Sequence, residues 1–115
     1  MPHLVAHNVV PLTQHNVFDI LDHLSGLLYQ AFGGRVTLVV HGGIVMVLHQ
    51  RLACRESTRD IDFCLRSFVS ESQKLGIHDA EARLNSCINA TAKRFQLGAD
   101  WMNCHADVAL PMSIE

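Results

Sequence analysis

The feature that most constrains this chain is a double glycine, Gly42-Gly43, set between a run suited to a β-strand and a run suited to a helix. Residues 35–40 are rich in β-branched side chains and follow a second glycine pair, Gly33-Gly34, so they predict a short strand. Beyond Gly43, Ile44, Val45, Leu48 and Leu52 share one face at helical spacing, which predicts a helix over 44–52. The order is therefore strand, glycine turn, helix.

The flanking elements follow from the same reasoning. Asn16 is a candidate N-cap, and Val17, Ile20, Leu21, Leu24, Leu27, Leu28 and Ala31 recur at helical spacing until Gly33-Gly34 stops them. Residues 61–65 predict a second short strand, and 68–75 a short helix closed by Gly76. Residues 80–97 predict a longer helix, capped by Asp79 and ended by Gly98, with Leu84, Cys87, Ile88, Thr91 and Phe95 facing inward. A last strand is expected at 107–110, cut by Pro111. Residues 1–13 have no clear period, and Pro2 and Pro11 disfavour a continuous helix, so they read as an N-terminal arm to a single domain over 14–115. The expected class is α/β (α+β): a small mixed sheet of two to four short strands flanked by helices, with the long C-terminal helix completing one layer.

With 115 residues, 49% of them hydrophobic and 17% charged, the chain fits one compact domain that can bury a core. Nine Lys and Arg against eleven Asp and Glu leave a net charge of −2, which gives no general electrostatic ground for a nucleic-acid or anionic-membrane partner. Cys54, Cys64, Cys87 and Cys104 are far apart, without the paired spacing of a structural zinc site, and read as reduced thiols. The N-terminus lacks a basic region followed by a long apolar run, and no later segment approaches the length of a membrane span, so a soluble cytoplasmic protein is expected.

Two features bear on chemistry. Side chains alternate along a strand, so Asp60 and Asp62 would point the same way while Ile61 and Phe63 enter the core. Aligned carboxylates repel unless a cation lies between them, and Mg²⁺ typically takes one or two carboxylates together with substrate phosphates and water. Gly42-Gly43 at the start of a helix would expose backbone N–H groups to a phosphate. Each feature also has a plainer reading: a tight turn for the glycines, and for the aspartates a solvated pair at a strand end, or a turn capped by Asp60.

His41 abuts the glycine turn; it either contacts a phosphate or base, or is hydrogen-bonded at a strand end. His3 and His7 have i, i+4 spacing, but Pro2 and the absence of an apolar period favour a disordered arm over a helical metal site. Trp101 is expected to pack the long helix against the sheet, with Asn103 bonded to the local backbone.

Val-His-Gly-Gly-Ile-Val-Met-Val-Leu (40–48) followed by Ser-Thr-Arg-Asp-Ile-Asp-Phe (57–63) resembles the signature of the DNA polymerase beta-type nucleotidyltransferase superfamily. It is most similar to the toxin-type nucleotidyltransferases of abortive-infection systems and related uncharacterised proteins, including fungal ones. Asp-Trp-Met-Asn (100–103) resembles the Asp-Trp-Leu-Asn segment that often follows in that branch.

The resemblance implies a phosphate loop at Gly42 and Gly43, Mg²⁺ ligands at Asp60 and Asp62, and support for their turn from Thr58. Glu56 stands where the relatives often have arginine, with Arg55 and Arg59 adjacent, so Arg59 is a candidate phosphate contact. Fuller active sites of the superfamily use a third carboxylate on a later strand, for which Asp107 is the candidate. The implied reaction is transfer of a nucleotidyl group from an NTP to a hydroxyl on a protein, RNA or small molecule.

The relatives continue into further strands and helices, so the chain resembles the N-terminal half of a larger protein. This motivates two alternatives: a truncated, catalytically inactive module that binds a partner or small ligand, and a homodimer that covers the exposed edges. A further alternative is acid–base chemistry by His41 and the carboxylates without a nucleotide.

Overall fold

In the computed structural model, which describes residues 5–48 and 57–104, the elements run β1 (Leu12–Thr13), α1 (Val17–Phe32), β2 (Val40–His41), α2 (Gly43–Leu48), β3 (Ser57–Thr58), β4 (Ile61–Phe63), α3 (Leu65–Lys74), α4 (Ala80–Phe95) and β5 (Met102–Asn103). The class is mixed α+β, as expected.

α1 is the helix its apolar period predicts, with Val17, Ile20, Leu24 and Leu28 buried along one stripe. Asn16 precedes it but does not cap it with its side chain. Its amide instead ties the approach to the helix, accepting from Thr13 N (2.8 Å) and donating to Pro11 O (2.9 Å). Gly33 ends the helix in the left-handed region, where a glycine has no side chain to clash.

The stripe packs on α4, whose inward residues Leu84, Cys87, Ile88 and Thr91 are those its spacing predicts. Full burial of a leucine or isoleucine contributes about 1.5–3 kcal/mol, so this helix pair carries much of the core. Burial also pushes the Cys87 thiol pKa up, which keeps it protonated. Among the described residues no helix is long and apolar enough to cross a membrane.

The three-stranded sheet has the order β2-β4-β5, with β2 antiparallel and β5 parallel to β4. Val40 pairs with Phe63 and Ile61 with Met102, placing these four side chains on the face turned to the core. His41 pairs with Asp62 and Asp62 with Asn103, so these three share the other face.

The strand expected at 35–40 enters the ladder only at its end. Residues 34–39 alternate between partly buried and exposed with a strand's period, but β4 is short and Cys64, which donates to Val39 O (3.0 Å), already turns the chain into α3. For the same reason the strand expected over 61–65 stops at Phe63, and the helix expected from Phe68 starts at Leu65.

Two further expectations are corrected. α4 ends at Gln96, in the left-handed region with its N–H on Ala92 O, and not at Gly98. Gly98 instead lets two stretches of backbone cross. A Cβ there would land on the backbone of His7 and Asn8, so only glycine allows that approach. The residues read as a disordered arm are also packed where described. Leu12 is fully buried, β1 pairs with β3, Ala99 N donates to Val5 O (2.6 Å) and Asp100 N to Ala6 O (3.2 Å). The arm shows no period because backbone bonds to a distant segment hold it. The expected strand at 107–110 and the end of the 44–52 helix lie outside the described residues.

Candidate functional site

β2 and β4 bring the glycine turn and the aspartates together. Gly42 follows His41 with φ of +81°, a backbone that costs any other L-residue about 1–2 kcal/mol. A Cβ built on Gly42 would also lie 2.6 Å from Asp62 Oδ2. Only a residue without a side chain leaves the Asp62 carboxylate where it is. Ile61 and Phe63 are buried on either side of Asp62, so the strand cannot rotate to move that carboxylate away.

Asp60 immediately precedes β4, two residues before Asp62. It is oriented by Asn103, whose Nδ2 donates to Asp60 Oδ2 at 3.3 Å and to Asp100 O at 3.0 Å. The local backbone bond expected of Asn103 is therefore present, together with a second contact that sequence reasoning missed. Thr58 is buried, and its Oγ1 donates to Asp60 O (3.3 Å), bracing the turn between β3 and β4. The Arg59 side chain is exposed at the tip of that turn.

A second overlooked residue is Asn8. It is almost fully buried, and its Oδ1 accepts from Val10 N (3.2 Å) and Gly98 N (3.1 Å). Its Nδ2 donates to Val10 O and Arg59 O, both at 2.8 Å. Its backbone N–H donates to Asp100 Oδ1 at 2.6 Å. One asparagine thus ties the turn before β4 to the segment before β5. Nothing in the sequence marks it, because the bonds to Arg59, Gly98 and Asp100 span 51, 90 and 92 residues.

Asp100 completes that junction. Burial alone would raise its carboxyl pKa, but the bonds from His7 Nδ1 (3.0 Å) and Asn8 N outweigh burial and hold it below the ordinary value. The four residues 100–103 each take a separate direction. Asp100 holds the arm, Trp101 is buried with Nε1 on Ile88 O (3.1 Å), Met102 faces the core, and Asn103 faces the carboxylates. The packing role expected of Trp101 is the one observed.

The polar face therefore carries Asp62 beside Gly42, with His41 and Asn103 paired to it on the flanking strands and Asp60 bonded to Asn103. Asp60 and Asp62, both partly exposed and two residues apart, are hard oxygen donors of the kind Mg²⁺ takes and would be its ligands. Among the described residues no group of three or more His, Cys, Asp and Glu is assembled. Asp107, the expected third carboxylate, and His3 lie outside the described residues.

An apolar groove of about 320 Å³ runs between α1 and residues 34–40, lined by Leu24, Leu28, Val36, Leu38, Val40 and Met102. It belongs to the core-facing side of the sheet, away from the carboxylates, so it is not part of this site. Comparison with known protein families, with characterised proteins and with solved structures gives no match.

Proposed function

We propose that this chain is nucleotidyltransferase-like and transfers a nucleotidyl group from an NTP to an acceptor hydroxyl. The observation that carries the reading is the Asp62 carboxylate set against Gly42, which joins the Gly42-Gly43 turn to the Asp60–Asp62 pair. Neither motif alone exceeds a turn or a solvated pair; their adjacency makes one site for phosphate and cation.

In this reading Asp60 and Asp62 hold Mg²⁺, which when bound neutralises phosphate charge. Backbone N–H groups of Gly42 and Gly43 bind the phosphate tail, and His41 and the exposed Arg59 add contacts at its rim. Thr58 keeps Asp60 in place through the backbone. The acceptor oxygen attacks the α-phosphorus, the bond to the bridging oxygen breaks, and pyrophosphate leaves; the hydroxyl proton passes to a carboxylate, for which Asp107 is the candidate.

Incubation with each α-labelled NTP, Mg²⁺ and protein, RNA and small-molecule acceptors tests the reading. Label transfer lost in Asp60→Ala and in Asp62→Asn is expected; wild-type protein that binds no NTP would sink it.

A second reading is a catalytically inactive module that binds a partner or small ligand. NTP binding without transfer to any acceptor favours it. The location implied by either reading is the cytoplasm. Among the described residues the sheet ends at β2 and β5, and these edges with the half-exposed Val39 beside β2 suit a homodimer, which light scattering across concentrations tests.

A further inference from the structure

We infer that Asn103 is a positioning residue that holds the Asp60 carboxylate for a divalent cation. This rests on the proposed function, in which Asp60 and Asp62 are the ligands. Its ground is the β4–β5 register. Asp62 and Asn103 are Cα partners, so Asn103 stands on the carboxylate face one strand away, close enough to Asp60 for a bond.

The amide's orientation is determined by chemistry as well as distance. A side-chain NH₂ carries two protons, and Nδ2 has two acceptors, Asp60 Oδ2 and Asp100 O. The flipped amide would set its oxygen against a carboxylate oxygen and a carbonyl oxygen, unfavourable at both contacts. The Asp100 carbonyl is itself fixed, because the Asp100 backbone N–H donates to Ala6 O and its carboxylate is held by His7 and Asn8. Asn103 therefore transmits a rigid position from the arm junction to Asp60.

The residue type also suits the role. Asp60 and Asp62 stand two residues apart, and in the proposed function both give their charge to the ion. A lysine or arginine in place of Asn103 would neutralise the pair and compete with a cation. A neutral amide donates one hydrogen bond to one carboxylate oxygen and leaves the net charge of the pair for the ion. Groups that hydrogen-bond metal-ligating side chains in this way typically support affinity by about 10- to 100-fold.

The test measures Mn²⁺ affinity of the full chain by electron paramagnetic resonance, with the folded fraction determined in the same samples. Asn103→Ala is expected to weaken Mn²⁺ binding per folded molecule by roughly 10-fold or more, and Asp60→Ala to abolish it. Asn103→Leu, which retains bulk and removes both donors, is expected to match Asn103→Ala. If Asp60→Ala loses Mn²⁺ while both Asn103 variants bind like wild type, Asn103 only braces the Asp100 turn and the inference falls, with the proposed function intact. Wild-type protein that binds no Mn²⁺ overturns both.

Discussion

The carboxylate of Asp62 and the α-carbon of Gly42 are neighbours across two antiparallel strands, so close that a methyl group on Gly42 would have to lie 2.6 Å from Asp62 Oδ2. Gly42→Ala should therefore act twice: through left-handed backbone strain of about 1–2 kcal/mol, and by displacing Asp62. Gly34→Ala is the control, because its Cβ would meet nothing within 4 Å and its φ is not positive. Urea unfolding should show Gly42→Ala destabilised and Gly34→Ala unchanged or slightly stabilised, by up to about 1 kcal/mol.

Asn8→Ala leaves Gly98 N–H and the Arg59 carbonyl without their partner at a buried junction. Each stranded group costs about 1–3 kcal/mol, so a loss of roughly 2 kcal/mol or more is expected in equilibrium unfolding. Gly98→Ala should expose the same junction by steric means. Limited proteolysis should then cut before Val10 in both variants, well ahead of any cut in wild type.

Because its folded pKa is depressed, Asp100 contributes stability that is fully present above its unfolded value and is lost as pH falls through the folded one. The thermal midpoint of wild type should fall with acidification below about pH 4, the ordinary aspartate range. Asp100→Asn should be less stable than wild type at neutral pH and show a shallower acid limb. Identical acid limbs in the two proteins would count against the clasp.

Trp101 is the only tryptophan in the chain, fully buried and bonded through Nε1 to Ile88 O. Its fluorescence should be shielded from iodide in the native protein and become accessible on unfolding. Trp101→Phe removes the Nε1–H bond to Ile88 O, a carbonyl that still accepts within α4, for an expected cost of about 0.5–1.5 kcal/mol from that bond.

Residues with long local periods are readable from sequence. The stripe from Val17 to Leu28 and the set Leu84, Cys87, Ile88 and Thr91 need only helical spacing, and the outward place of Asp62 between buried Ile61 and Phe63 needs only strand alternation. What escapes depends on partners far away in the chain. β1, β3 and β5 have two residues each, too few for any period to register, and exist because another strand pairs with them. The Asn103 contact to Asp60 requires the β4–β5 register, and the bonds of Asn8 require knowing that the arm crosses Gly98. Gly98 itself is legible as a special glycine, but a helix stop and a backbone crossing look alike in one dimension.

The crossing of Asn8 over Gly98 sets an order of events during synthesis. Its bonds to Gly98 and Asp100 join residues 90 and 92 positions apart, and contacts of such separation form late because a long loop must close first. On the ribosome, α1 can form as soon as it emerges, while Asn8 waits for residues 98–100 to leave the exit tunnel. The carboxylate face, which depends on β5 and on that junction, is thus among the last parts of the domain to take shape, so a nascent chain does not present the assembled site before almost all of these residues have been translated.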